Sequence, residues 1–113
     1  MKLRFFDFEV FAHWWCCSFG DMPDDEKITE DIKNNFYVVT SDDKFARDKL
    51  IAKMKEENYV LAGYNIKGYD LIIANAIYQA LEPEQVKMIN DMIINPSCMW
   101  ESKEHIRLQP FLK

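Results

Sequence analysis

The chain has 113 residues, 49% of them hydrophobic and 14% aromatic, which is enough apolar material for one domain with one core and excludes a disordered or low-complexity protein. A formal net charge of −5 excludes a global electrostatic attraction to nucleic acid, so such a partner would have to be held locally, through metal ions and a few lysines. Three cysteines, Cys16, Cys17 and Cys98, form no CxxC pair, and no long apolar run occurs; neither a disulfide framework nor a zinc site is indicated, and a cytoplasmic protein with no membrane contact is expected.

Residues 2–10 predict the first strand, a hydrophobic run that carries two carboxylates, Asp7 and Glu9. Alternate strand residues share a face, so these two acids stand side by side, where like charges repel and lose hydration unless a cation compensates. Residues 12–19 predict a second strand after a very short turn, making an antiparallel hairpin that Gly20 ends. Within it Cys16 and Cys17 face opposite ways, and so do Trp14 and Trp15. The polar stretch 21–35, with Pro23 and a run of acids, reads as a loop or lid.

Phe36 to Thr40 predicts a third strand, and Thr40 with Asp43 a capping-box start for a helix over 41–57, with Ala46, Leu50 and Met54 inward. Residues 59–64 predict a buried fourth strand. Helices follow over 68–81, with Ile73, Ile77 and Leu81 inward, and over 83–94, with Pro83 in the first turn and Val86, Ile89 and Ile93 as the apolar stripe. Beyond Pro96 the pattern fades. The order β-β-β-α-β-α-α predicts a single α/β domain over 1–113. Its sheet is mixed, an antiparallel three-stranded start extended by a parallel strand through a helical crossover.

The second informative stretch is Val60 to Leu71. A strand ends at Tyr64, Asn65 and Gly68 make the turn, and Asp70 falls in the first turn of the next helix. Ligands of open α/β sheets bind beyond the carboxyl ends of the strands, so Asp70 is placed to face Asp7 and Glu9. Standing alone, an acid at a helix start would be what the helix macrodipole favours.

Asp7-x-Glu9 on a first strand, followed by Asn65-x-x-x-Tyr69-Asp70 at a strand-to-helix turn, resembles the first two motifs of the DEDD superfamily of 3′–5′ exonucleases. The residues around them, Phe6 to Phe11 and Ala62 to Asp70, look most like the amino-terminal exonuclease region of phage-type DNA polymerases. The resemblance implies a ribonuclease H-like fold and hydrolysis of the terminal phosphodiester of DNA, as in proofreading. In that family four carboxylates hold two divalent metals that activate a water, and hard oxygen ligands select Mg²⁺ or Mn²⁺. Carried onto this sequence, Asp7 would bridge both metals, Glu9 would hold the first and Asp70 the second. Asn65 and Tyr69 would shape the pocket around the substrate, a single-stranded or frayed DNA 3′ end.

The resemblance covers roughly residues 3–80. The family's third motif, a Tyr or His followed by Asp four or five residues later, has no counterpart. The later acids are Glu82, Glu84, Asp91, Glu101 and Glu104, and His105 is followed by Arg107, Gln109 and Pro110. The fourth carboxylate and the general base are therefore missing. The expectation is an amino-terminal part of an exonuclease domain, truncated and inactive alone, whose missing carboxyl-terminal segment completes it. The alternative is a catalytically dead ribonuclease H-like module that buries its sheet edge and apolar surface against another copy as a homo-oligomer. A third reading is a small α/β domain unrelated to nucleases, in which Asp7 and Glu9 pair with lysines. His13, Lys44, Lys49 and Lys67 read as surface residues, and the exposed member of the Trp14–Trp15 pair could stack on a base.

Overall fold

Alternating burial along β1 (Lys2–Val10) sends Arg4, Phe6 and Phe8 inward and leaves Leu3, Phe5, Asp7 and Glu9 on the opposite face. The computed structural model describes residues 2–22, 36–95 and 103–112. The acidic stretch from residue 23 to 35, Cys98 and Trp100 lie outside the described residues, as does the side chain of His105. β2 (Trp15–Asp21) and β3 (Phe36–Thr40) continue the antiparallel start, and β4 (Tyr59–Ala62) lies parallel to β1 on its other side. The sheet order is β3-β2-β1-β4, so the chain is an α/β fold with a four-stranded mixed sheet.

The helices cover the inner face. α1 (Ala46–Met54), α2 (Leu71–Tyr78) and α3 (Pro83–Ile94) place Leu50, Ile73, Ile77, Val86, Ile89 and Met92 against Phe6, Phe8, Trp15, Cys17, Phe19 and Val39. Phe6 stacks on Phe19 and meets Phe8 edge-on, at centroid separations of 6.4 and 6.2 Å. α4 (Lys103–Leu108) and a 3-10 turn (Gln109–Leu112), in the region where the sequence pattern fades, pack against α2 and α3 with Leu108 buried. None of the described helices covers the other sheet face, and Leu3, Phe5, Phe36, Val38 and Val60 on it are 43–63% exposed. None of the described helices is long and apolar enough to cross a membrane.

Several sequence expectations shift. β2 starts at Trp15, not at residue 12, because Phe11 N–H bonds the Trp14 carbonyl at 2.7 Å and closes a four-residue turn. Gly20 does not end the strand: it pairs with Phe5 and Phe36, and the Phe36 ring lies 3.3 Å from where a β-carbon would sit. α1 starts at Ala46 because Asp43 draws residues 41–45 into a turn, its carboxylate accepting the Phe45 N–H at 2.8 Å and the Lys49 ammonium. The reciprocal capping box occurs instead at α3, between Glu82 and Gln85. Finally, β4 is a four-residue edge strand with Val60 exposed, not a buried one reaching Tyr64.

The helix expected over 68–81 divides in two. Ile66–Asp70 is a π-helical turn, in which the N–H of Asp70 reaches back five residues to the Asn65 carbonyl. α2 then ends before Ala80, whose φ of 63° is in the left-handed region. A β-carbon there is strained, so Ala80→Gly will raise stability by about 0.5–1 kcal/mol, read as a higher urea midpoint at unchanged slope.

One inward residue of β1 is charged. Arg4 is 1% exposed and bonds both carboxylate oxygens of Asp21 at 2.6 and 2.9 Å, Glu56 at 2.8 Å and the Lys53 carbonyl at 2.9 Å. Its guanidinium lies 3.7 Å from the centre of the Tyr59 ring. Arg4 therefore ties together β1, the end of β2, the end of α1 and the start of β4.

Candidate metal centre

Asp7 and Asp70 come together where β4 stops. The β1–β4 ladder ends at the Phe5–Ala62 pair, and Asp7 lies two residues further along β1 on the open face. Gly63 then lets the chain pass close to β1, since a β-carbon there would sit 3.2 Å from the Phe6 carbonyl oxygen. The π-turn that follows carries Asp70 back. A cleft of about 430 Å³ results, lined by Asp7, Tyr64, Asn65, Tyr69 and Asp70, with Ile93 and Ile94 of α3 as its far wall.

Asp70 is the unusual member. The residue is 3% exposed, and among the described residues its Oδ1 has no hydrogen-bond partner. Burial pushes its carboxyl above the ordinary carboxylate range, and the Asp7 charge pushes it further; the N–H groups of Phe8 and Asn65 draw it part of the way back. An acid expected at a helix start thus proves to be a buried carboxylate at the junction of the π-turn and α2, with one oxygen unsatisfied.

Tyr69 and Asn65 both line the cleft, in different ways from those expected. The Tyr69 hydroxyl donates to Oδ1 of Asn90, and burial, followed by the charges of Asp70, Asp7 and Asp91, pushes the phenol up to about 12. The Asn65 carbonyl accepts the N–H groups of Tyr69 and Asp70 at 3.0 and 3.2 Å, and its side chain folds over Gly68. Tyr64 is fully exposed at the rim.

Glu9 stands apart from this pair. It lies opposite Cys16, where β1 has run on beyond the end of β4, and its charge raises the Cys16 thiol after the larger effect of burial. Among the described residues no group of three or more His, Cys, Asp or Glu side chains is placed to hold one metal ion, so Asp7, Glu9 and Asp70 do not form a triad. Among the described residues no ion pair involves Asp7 or Glu9. Cys17 lies buried beneath the sheet, its thiol raised by burial and then by the Asp70 charge, and is poorly suited to nucleophilic work.

The donor set still fits a hard divalent cation. Mg²⁺ and Mn²⁺ take one or two carboxylates and keep several waters, and the cleft offers two carboxylates, one with an unpartnered oxygen. A second hollow of about 630 Å³ adjoins it on the open sheet face; Asp7 and Tyr64 border both, and Phe5 and Phe36 flank it. A third, between α1 and α2, is lined by Leu50, Met54, Leu61 and Tyr78 and holds no acid. His13 and Trp14 lie elsewhere, contacting Glu84 at 3.1 Å and Asp42 at 2.9 Å. Sequence reasoning missed Asn90, whose one signal is an amide beside the apolar stripe Val86, Ile89 and Ile93.

Comparison with protein-family models found none that matches the chain, and comparisons with curated proteins and with solved structures found no match either.

Proposed function

We propose that this chain carries part of a metal-dependent phosphodiesterase site of the ribonuclease H-like 3′–5′ exonuclease lineage, with a DNA 3′ end as substrate. The observation that carries this reading is the buried, unpartnered Oδ1 of Asp70 in a cleft shared with Asp7. A buried carboxylate that faces a like charge and has one oxygen without a donor is costly unless a cation completes it. Asp7 and Asp70 would hold Mg²⁺ or Mn²⁺, which supplies a Lewis acid that activates water and neutralises the phosphate. Glu9 and a carboxylate from outside the described cleft would be needed for a second metal. Asp7 and Asp70 would hold the cation, which would supply the contact to the scissile phosphate, while Ile93 and Ile94 wall one side of the cleft.

Mn²⁺ titration followed by thermal unfolding tests this directly. At a free concentration about 100-fold above its dissociation constant, a ligand of the native state adds about 2.7 kcal/mol, which raises the melting temperature by several degrees. Asp7→Ala will abolish the rise. An unmoved midpoint in the wild type would sink the metal reading. Incubated with single-stranded DNA and Mn²⁺, the chain alone will not degrade it; rapid degradation lost in Asp7→Ala would show that the site is complete.

A second reading is supported by the open sheet face, where Leu3, Phe5, Phe36, Val38 and Val60 are exposed together. A contiguous apolar face of this kind suits an interaction or oligomerisation module. Light scattering across a concentration series decides it: a constant monomer mass ends that reading.

A further inference from the structure

We infer that Asn90 is a positioning residue for this site: from α3 it holds the Tyr69 hydroxyl, and through Tyr69 the π-turn that aims Asp70 into the cleft. Asn90 is 5% exposed on an otherwise apolar helix face, a costly place for an amide unless both ends are bonded. Its Nδ2 donates to Asp91 Oδ1 at 3.2 Å, and Lys87 donates to the same oxygen at 2.6 Å. The Asp91 oxygen that takes the Lys87 ammonium is an acceptor, so the amide nitrogen faces it, which turns Oδ1 of Asn90 towards Tyr69 and makes the Tyr69 hydroxyl the donor. The relay is therefore directional, with donation running from Tyr69 on the turn through Asn90 to Asp91 on α3.

The turn needs such a tether. π-turns are rare and form where tertiary contacts impose them, often at functional sites. This one bonds both the Tyr69 and Asp70 N–H groups to the single Asn65 carbonyl. Asp70, next along the chain from Tyr69, is 3% exposed and shares the cleft with Asp7, so lost hydration and the like charge both favour its leaving. Relaxation of the turn to α-helical bonding shifts the register by one residue. That rotates Asp70 by about 100° about the helix axis and out of the cleft. The Asn90–Tyr69 bond opposes that rotation.

The metal half of the test rests on the reading proposed above, and the exchange half does not. Asn90→Leu keeps the volume and removes the acceptor; Tyr69→Phe removes only the hydroxyl and serves if the first variant fails to fold. Each will speed amide hydrogen exchange at Tyr69 and Asp70 by roughly 3- to 10-fold, the loss of one hydrogen bond, with the amides of α1 and β2 unchanged. Each will also weaken Mn²⁺ binding by about 10-fold, as loss of an outer-sphere partner does. The double variant will be no worse than either single one, because both break the same link. A lower melting temperature with unchanged Mn²⁺ affinity and unchanged exchange at Tyr69 and Asp70 overturns the inference, leaving Asn90 a packing residue. Absence of Mn²⁺ binding in the wild type overturns the metal reading instead, and the exchange rates alone then decide the role of Asn90.

Discussion

Arg4→Ala will lower the stability of the chain by about 3 kcal/mol, a large part of the 5–15 kcal/mol that separates native from unfolded states. The side chain is fully enclosed and joins four separate segments through Asp21, Glu56, the Lys53 carbonyl and the Tyr59 ring. Alanine removes all four and leaves a cavity. The loss stays at the lower end of the range for broken buried pairs, because Asp21 and Glu56 keep 21% and 44% of their side-chain surface and can rehydrate. Arg4→Met fills the space and will recover part of the loss, which separates packing from charge.

The pH dependence will change with it. The Arg4 hydrogen bond holds the carboxyls of Asp21 and Glu56 below their ordinary range. A carboxylate depressed in the folded state adds stability that is present above its unfolded pKa and is lost as pH falls through the folded value. Urea unfolding between pH 7 and pH 3 will therefore show a shallower acid decline in both Arg4 variants than in the wild type. A wild-type slope in Arg4→Ala would mean that these ion pairs contribute nothing.

Asp70→Asn will act in the opposite direction. Without metal it will stabilise the chain by about 1–2 kcal/mol at pH 7, or roughly 5 °C, because it removes a desolvated carboxylate that repels Asp7 and has an unpartnered oxygen. The sign with pH is reversed as well. Asp70 is raised in the folded state, so its favourable contribution is complete below the ordinary carboxylate value and is lost as pH rises through the raised one. The variant lacks that decline. Saturating Mn²⁺ will stabilise the wild type and leave Asp70→Asn unmoved, so the order of melting temperatures inverts when metal is added. Equal metal responses in the two proteins would remove Asp70 from the site.

The parts legible in the sequence were those governed by local period and punctuation. The alternation along β1, the three apolar strands and the stripes of α2 and α3 follow from burial at period 2 or 3.6, and the mixed sheet, an antiparallel start plus one parallel strand, follows from connection lengths, whereas the place of β4 beside β1 was not legible. Trp15 and Cys17 are the inward members of their pairs, as alternation requires, while Trp14 turns to Asp42. Gly20 misled because a neighbouring ring can stand in for its missing side chain. Thr40 and Asp43 misled because an Asp that bonds its own turn competes with helix formation.

At the site, the meeting of Asp7 with Asp70 was legible from the strand-end rule, since both lie beyond the carboxyl end of β4, where its pairing with β1 stops. Glu9 was not separable from Asp7 by sequence, because the length by which β1 overruns β4 is set by pairing register. The burial of Asp70, the π-turn and the Asn90 relay depend on α3 packing across the turn. Arg4 was overlooked for a similar reason: its partners lie 17 to 52 positions away, and no local pattern distinguishes an inward arginine from an outward one.

The parallel pairing of β1 with β4 also sets when the site forms. β1 and β2 are joined by a turn of four residues and can meet within microseconds, whereas β4 must wait for the whole β3–α1 crossover to close. Asp7 and Asp70 therefore confront each other only late in folding, after the barrier for the hairpin has been crossed. An interaction absent from the transition state alters the rate of unfolding and leaves the rate of folding nearly unchanged. Bound cation, or the Asp70→Asn substitution that removes the repulsion, would thus lengthen the lifetime of the native chain without hastening its formation.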